Sequence, residues 1–248
     1  MRELSANLIN ELQKLWVKKK YIVFLIIEVA ICALVVFVQT LISRASNGIF
    51  PLRAMSLSMT VITFFIEVLI PLIVFMAATD LFCTEFQDKT MRAVIVRPIS
   101  KFKIYLSKVL AVTILASLNI IAVFLVTNLL EATVVGEINN FWHSFGAYFL
   151  NILPMFIVVL MAVLLNQTVN GSTLAMFICI IAYAALKLSV FFIPQLGGLL
   201  FTGYMQWHKL WLGQMLPAGA LFSKIALLFG YIIVFLSGGY YLFDKREF

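Results

Sequence analysis

Six apolar stretches, 21–42, 59–79, 109–130, 145–165, 173–192 and 221–242, set what this chain can fold into. Each is about 20 residues long, the length of helix that crosses a hydrocarbon core of about 30 Å at 1.5 Å per residue. Lipid offers no partner to a backbone N–H or C=O, so a spanning segment has to satisfy its own backbone as a helix. The expected fold is all-α: a polytopic membrane protein with six transmembrane helices, an even number that leaves both termini on one side. Composition agrees, with 63% hydrophobic and only 12% charged residues and a mean hydropathy of +1.07, values far from those of soluble domains. A single transmembrane domain over 1–248 is expected, because six spans leave no room for a soluble one.

Charge sets the orientation. The net charge of +7 does not point to nucleic acid here, because basic residues of membrane proteins collect on the cytoplasmic side. Residues 1–20 place Leu4, Leu8, Leu12 and Leu15 or Trp16 at helical spacing, with Arg2, Glu3, Asn10, Glu11 and Lys14 mostly elsewhere around the helix. That pattern predicts an amphipathic elbow helix lying in the membrane surface. Lys18, Lys19 and Lys20 then precede a first span too long for a cleaved signal peptide, so it is expected to stay as an anchor with the N-terminus inside. With both termini in the cytoplasm, 13 of the 18 basic residues fall on that side. Only Arg44, Arg53 and Lys209 fall in outer loops, and the loop after span three carries Glu131 and Glu137.

Two connections stand out. The segment 193–220, "IPQLGGLLFTGYMQWHKLWLGQMLPAGA", is too broken by Gly and Pro for a span and too apolar for a free loop, so a re-entrant or interfacial outer hairpin is expected before the last span. The segment 80–108 holds 9 of the 29 charged residues and is the one sizeable cytoplasmic loop, since "NQTVNGS" between spans four and five is a tight turn. Within it 81–96 lacks Gly and Pro, and Phe82, Phe86, Thr90 and Val94 recur every fourth position. A short amphipathic helix ending at Pro98 follows from that spacing.

An acidic cluster leaving span two, a Thr, "RPIS" and a basic run into span three together resemble the type-2 ABC transporter permeases, the family of bacterial drug, peptide and polysaccharide exporters. The residues that carry the resemblance are Glu85, Thr90, Arg97, Pro98, Ser100 and Lys108, within a plan of elbow helix, six spans, hairpin and short charged tail. Members often have Gly before the Thr, where this chain has Lys89, a residue that favours helix more. The resemblance implies that 80–108 holds a cytoplasmic coupling helix, with Asp80, Glu85, Asp88, Thr90, Arg97, Pro98, Ser100 and Lys108 as ATPase-coupling residues. It also implies two copies of a separate ABC ATPase subunit, which carry ATP and Mg²⁺, and a second permease copy or a related permease. The setting implied is the bacterial plasma membrane and its lipid. No cofactor is expected on this chain, and nothing in it matches GxxxxGK[ST].

Three charges fall inside spans. Glu28 comes out roughly 10 Å above the cytoplasmic boundary, Glu67 roughly 12 Å below the outer one, and Lys187 at about the depth of Glu67. Membrane charges of this kind mark a path, a partner or a pair. Glu28, Glu67 and Lys187 are therefore the translocation-path candidates, with a Glu67–Lys187 ion pair expected. Asn119 and Asn128 are the other fixed polar groups of the spans. His143 and His208, each next to a Trp, are expected at the outer interface. Cys32, Cys83 and Cys179 lack CxxC spacing and are expected as small buried hydrophobes. No catalytic or metal-ligating set is expected, since the histidines lie outside the spans. A secondary transporter or channel using Glu28, Glu67 and Lys187, and a permease for lipid or polysaccharide, are the rival functions. Spans rich in Phe, Leu and Ile with few fixed polar groups favour a path for an amphipathic or lipid-like molecule, and the resemblance to bacterial drug and peptide exporters implies outward movement of a hydrophobic antimicrobial peptide or drug. Two membrane acids would suit a cationic one.

Overall fold

The computed structural model describes residues 2–45, 57–88, 90, 99–134, 141–212 and 218–246. Six helices in it are long and apolar enough to cross a membrane: Lys19–Ser43, Val61–Gln87, Lys101–Val134, Phe141–Gln167, Ser172–Phe192 and Gly219–Lys245. Each contains, nearly whole, one of the six expected stretches. Several run further, because hydropathy falls at a membrane boundary while nothing there breaks the helix.

Helix α1 (Arg2–Val17) ends at Lys18, and α2 (Lys19–Ala45) starts at once. Helix α3 covers 57–87 as α-helix at Leu57–Phe64, Ile70–Ala78 and Glu85–Gln87, with π-helical turns at Phe65–Leu69 and Thr79–Thr84. Helix α4 is Lys101–Val134. Helices α5 (Phe141–Leu150) and α6 (Ile152–Gln167) form one span interrupted at Asn151. Helix α7 is Ser172–Phe192. Two 3₁₀ turns, Pro194–Gly198 and Phe201–Tyr204, and the short α8 (Lys209–Leu212) lead to α9 (Ala218–Lys245).

The bundle has a centre and a shell. In the spans formed by α3, α4 and α5–α6, between half and two thirds of the apolar window is buried, against 17%, 17% and 6% for α2, α7 and α9. Helix α6 sits in the middle with Met155, Ile157, Val158, Val159 and Leu160 buried, and α3, α4, α7 and α9 all pack on it. Between helices in lipid, close approach replaces the hydrophobic drive, and small residues permit it. A Cβ on Gly239 of α9 would stand 2.4 Å from the Tyr105 hydroxyl of α4. That glycine lets α9 close over a cluster of Phe82, Tyr105, Tyr240 and Phe243, whose ring centroids lie 5.6–6.3 Å apart. The cluster marks the end of the bundle that carries both termini.

The segment 80–108 differs from its expected form. Span two continues as helix to Gln87, and α4 already begins at Lys101, so the connection is 88–100. Phe82, expected on the recurring face of a surface helix, is bundle interior together with Leu81 and Cys83, while Phe86 is half-buried and Thr90 exposed. Lys89 and 91–98, including Arg97, Pro98 and the second half of the expected coupling helix, lie outside the described residues. At the opposite end Glu131, expected in a loop, is buried in the last turn of α4.

The segment 193–212 folds back on the bundle, burying Phe201, Thr202, Tyr204, Met205, Trp207 and His208. Its tightest point is Gly203, where a Cβ would sit 2.3 Å from the Gly197 carbonyl oxygen. Any side chain there would force the two 3₁₀ turns apart.

Candidate functional site

At the end that carries both termini, α1, α3 and α4 each place charge on the same spot. Lys108 Nζ lies 3.0 Å from Glu11 Oε2 and 2.7 Å from Glu85 Oε2. Lys14 Nζ lies 2.9 Å from Glu11 Oε1 and 2.9 Å from Glu85 Oε1. The four side chains close a ring of alternating sign, with Lys108 and Glu11 at 0% exposure and Glu85 at 12%. Burying a charge costs several kcal/mol unless a partner and hydrogen bonds compensate it. Here each ammonium meets two carboxylates and each carboxylate two ammoniums, so the ring is neutral. Burial works against the charge on Lys14, yet Glu11 and Glu85 hold its pKa above the ordinary lysine value. Beside the ring, Asn7 Nδ2 donates to Ser107 Oγ at 2.8 Å, a second polar link between α1 and α4.

Asp80 anchors the break between α1 and α2. It lies on the second π turn of α3, 3.2 Å from Lys18 Nζ and 2.5 Å from Lys20 Nζ, and accepts the Tyr21 hydroxyl at 2.5 Å. Asp88 and Thr90 are exposed just beyond; the Thr90 hydroxyl donates to the Glu85 carbonyl at 3.2 Å. The Ser100 carbonyl accepts from the Lys103 and Ile104 amides and starts α4. An open groove of about 670 Å³ between α1 and α3 has Asn10, Gln13, Lys14, Asp80, Glu85 and Asp88 among its walls.

The tail adds a clamp. Arg246 donates to the Val169 carbonyl at 2.7 Å and to Asn170 Oδ1 at 2.8 Å, and its guanidinium stacks 3.8 Å from the Phe86 ring. Gln87 Oε1 accepts the Ser172 amide at 3.1 Å. The turn between α6 and α7 is thereby tied to the end of α3.

Of the expected coupling residues, the structure joins Glu85 to Lys108, sets Asp80 beside them and leaves Asp88, Thr90 and Ser100 exposed around the connection. Glu11, Lys14 and Arg246 are partners that the sequence pattern did not single out. A signal for Glu11 is present: Asn7, Glu11 and Leu15 recur every four residues, so Glu11 lies on the buried stripe of α1.

Among the path candidates, Glu67 and Lys187 do pair, Nζ to Oε1 at 2.8 Å, both a little over a quarter exposed. Gln206 Nε2 donates to the same Oε1 at 2.8 Å. Pro71 shapes this place: lacking an N–H, it cannot bond the Glu67 carbonyl one turn back. That carbonyl instead accepts the Tyr183 hydroxyl at 2.9 Å, and the backbone around Glu67 widens into the first π turn, a form frequent at functional sites. Glu28 does not join them. It is 2% exposed on α2, and neither carboxylate oxygen has a hydrogen-bond partner among the described residues. Asn119 and Asn128 donate back to Leu115 and Phe124 within α4 rather than outward. A double-mutant cycle of Glu67→Gln and Lys187→Met should show a coupling of about 0.5–3 kcal/mol in thermal unfolding; strict additivity would mean that the pair is not formed.

His208 is buried rather than interfacial. Asn151, at the break between α5 and α6, donates from Nδ2 to His208 Nδ1 at 2.7 Å and accepts the His208 amide at Oδ1 at 3.3 Å. Nδ1 is thus the acceptor, in a neutral ring with its proton on Nε2. Burial, then Lys209 and His143, push its pKa down to about 4. Between pH 6.5 and 4 the unfolded hairpin binds the extra proton and the docked one does not, so docking should weaken as pH falls through that window. Quenching of Trp207 and Trp211 fluorescence by a water-soluble quencher should rise over that range and stay flat in His208→Gln.

The sequence model of a family described as ABC-2 family transporter protein matches residues 8–186, from the second turn of α1 through most of α7. The curated proteins searched gave no match.

Proposed function

The chain belongs to the ABC-2 family of transporter proteins, and from that premise we propose that it is the membrane subunit of an ATP-driven exporter for a hydrophobic or amphipathic substrate, an antimicrobial peptide or drug. ATP and Mg²⁺ are held by a separate ATPase subunit, two copies of which work below a pair of permeases. Both termini and the connection 88–100 face the cytoplasm of a bacterial cell, with basic residues concentrated there.

The observation that carries this reading is the ion-pair ring. It joins the elbow helix α1, the last turn of span two and the first turns of span three immediately beside the connection 88–100. A force applied at that connection acts on three helices at once rather than on a free loop, which is what a bistable tilt of the bundle requires. The groove between α1 and α3 leaves polar and charged side chains facing outward, in the style of an interface resting on a few contacts.

Asp88 separates docking from folding, because it is exposed and stands outside the ring. In Asp88→Lys, the amount of P-loop ATPase recovered with the permease and its ATP turnover should fall several-fold while thermal unfolding stays unchanged. Unaltered recovery and turnover would overturn the coupling assignment. In intact cells a cysteine at position 88 should resist a membrane-impermeant thiol reagent; labelling there would reverse the orientation. Deletion of the gene should sensitise cells to lipophilic drugs or antimicrobial peptides, and loss of a surface glycan alone would move the assignment to polymer export.

A further inference from the structure

At the end opposite the termini, α3, α7, the hairpin 193–212 and α9 line a half-open cavity of about 510 Å³. Among the described residues its walls carry Glu67, Lys187, Lys209 and Lys224, three ammoniums against one carboxylate. Glu67 is already engaged by Lys187 and Gln206. Neither Lys209 nor Lys224 meets a carboxylate among the described residues; Lys224 Nζ rests 5.5 Å from the Tyr204 ring centroid. Two like charges lining one cavity repel, and the cost grows as water is excluded. An anion entering between them would remove it.

The surroundings say what accompanies that anion. Helix α7 exposes Leu188, Phe191 and Phe192, and α9 exposes Phe222, Phe229 and Ile233. These helices belong to the shell of the bundle, so the cavity lies between two helices that carry apolar surface toward lipid. The charge is supplied by lysines, compact ammoniums that suit phosphate as point charges. The volume lies within the range of small-molecule sites. We propose that this cavity binds the phosphate of an anionic membrane amphiphile, with Lys209 and Lys224 meeting the charge and the acyl chains lying along α7 and α9. The site goes beyond the exporter reading and is independent of it, since it involves neither the connection 88–100 nor an ATPase.

The test uses the purified full chain in a non-ionic detergent without its ATPase, so its outcome does not depend on coupling. Trp207 and Trp211 stand next to Tyr204, with successive ring centroids 5.9 and 6.1 Å apart, and report occupancy by fluorescence. The probes are monomeric dihexanoyl phosphatidylglycerol, dihexanoyl phosphatidylcholine and inorganic phosphate. Phosphatidylglycerol should bind saturably and raise the unfolding temperature. Its affinity should fall at least about tenfold in Lys209→Gln/Lys224→Gln and stay within about threefold in Lys209→Arg/Lys224→Arg. Saturation by inorganic phosphate in the same range, lost in the same variant, would support the phosphate site with a soluble source in place of lipid. Equal binding of phosphatidylcholine and phosphatidylglycerol, or undiminished affinity in the double Gln variant, would overturn it. Should the double variant fail to fold, Lys209→Gln alone, at an exposed position, gives the same comparison, and an unchanged affinity there would overturn the proposal.

Discussion

Lys108→Met is expected to destabilise the protein by about 3–5 kcal/mol, the cost of breaking a buried ion pair by removing one partner. The ammonium is fully buried and serves two carboxylates, Glu11 and Glu85. Without it both must share Lys14, the one ring member with substantial exposure. The packing loss is small, since methionine keeps most of the lysine stem against Phe82. Thermal unfolding in detergent should therefore fall by on the order of 10 °C. Adding Glu11→Gln and Glu85→Gln to Lys108→Met should recover more than half of that loss, because buried ionic networks are often replaceable by neutral groups of similar shape. A triple variant as unstable as the single one would show that volume and not charge holds this corner, and a single variant that unfolds with the wild type would mean that the ring does not form.

Asp80→Ala should act differently, by loosening α1 while leaving the bundle whole. The carboxylate holds Lys18, the residue at the break between α1 and α2, and Lys20 and the Tyr21 hydroxyl in the first turn of α2. Hydrogen bonds to a charged group are worth about 1.5–3 kcal/mol each, and the two lysines, about one third exposed, recover most of theirs from water. The buried Tyr21 hydroxyl cannot. A net loss of about 2–3 kcal/mol follows, confined to the junction. Protease cleavage near Lys18 should speed up by at least about tenfold, with the melting of the spans little changed. Tyr21→Phe should reproduce the smaller part of the effect. Cleavage at the wild-type rate in Asp80→Ala would show that α1 is held by its contacts with α4 and the ring without help from Asp80.

The two ends of the bundle are legible in the sequence to different degrees. The pairing of Glu67 with Lys187 follows from the order of residues, because rise per residue places both at one depth and a charge in lipid needs a partner at its own level. The widened turn that presents Glu67 is implicit in Pro71, though not its acceptance of the Tyr183 hydroxyl. The charge in 80–108 is legible as concentrated but not as buried: Glu85 and Lys108 read as coupling residues of a cytoplasmic loop, since nothing local distinguishes an ion in water from one inside a neutral ring. Arg246 reads as one more cytoplasmic charge for the same reason, and His208 as an interfacial ring, because Asn151 lies 57 positions away in the chain.

The sequence by itself determined the number of spans, the shared side of the two termini and the place where charge gathers. A bilayer excludes unsatisfied backbone and charge residue by residue, so those properties are written into windows of about 20 residues. Only the tertiary structure decided which charges meet. Lys14 finds Glu85 across 71 positions and Lys108 finds Glu11 across 97, and whether α1 lies with its Asn7–Glu11–Leu15 stripe against α4 depends on packing that no local window contains.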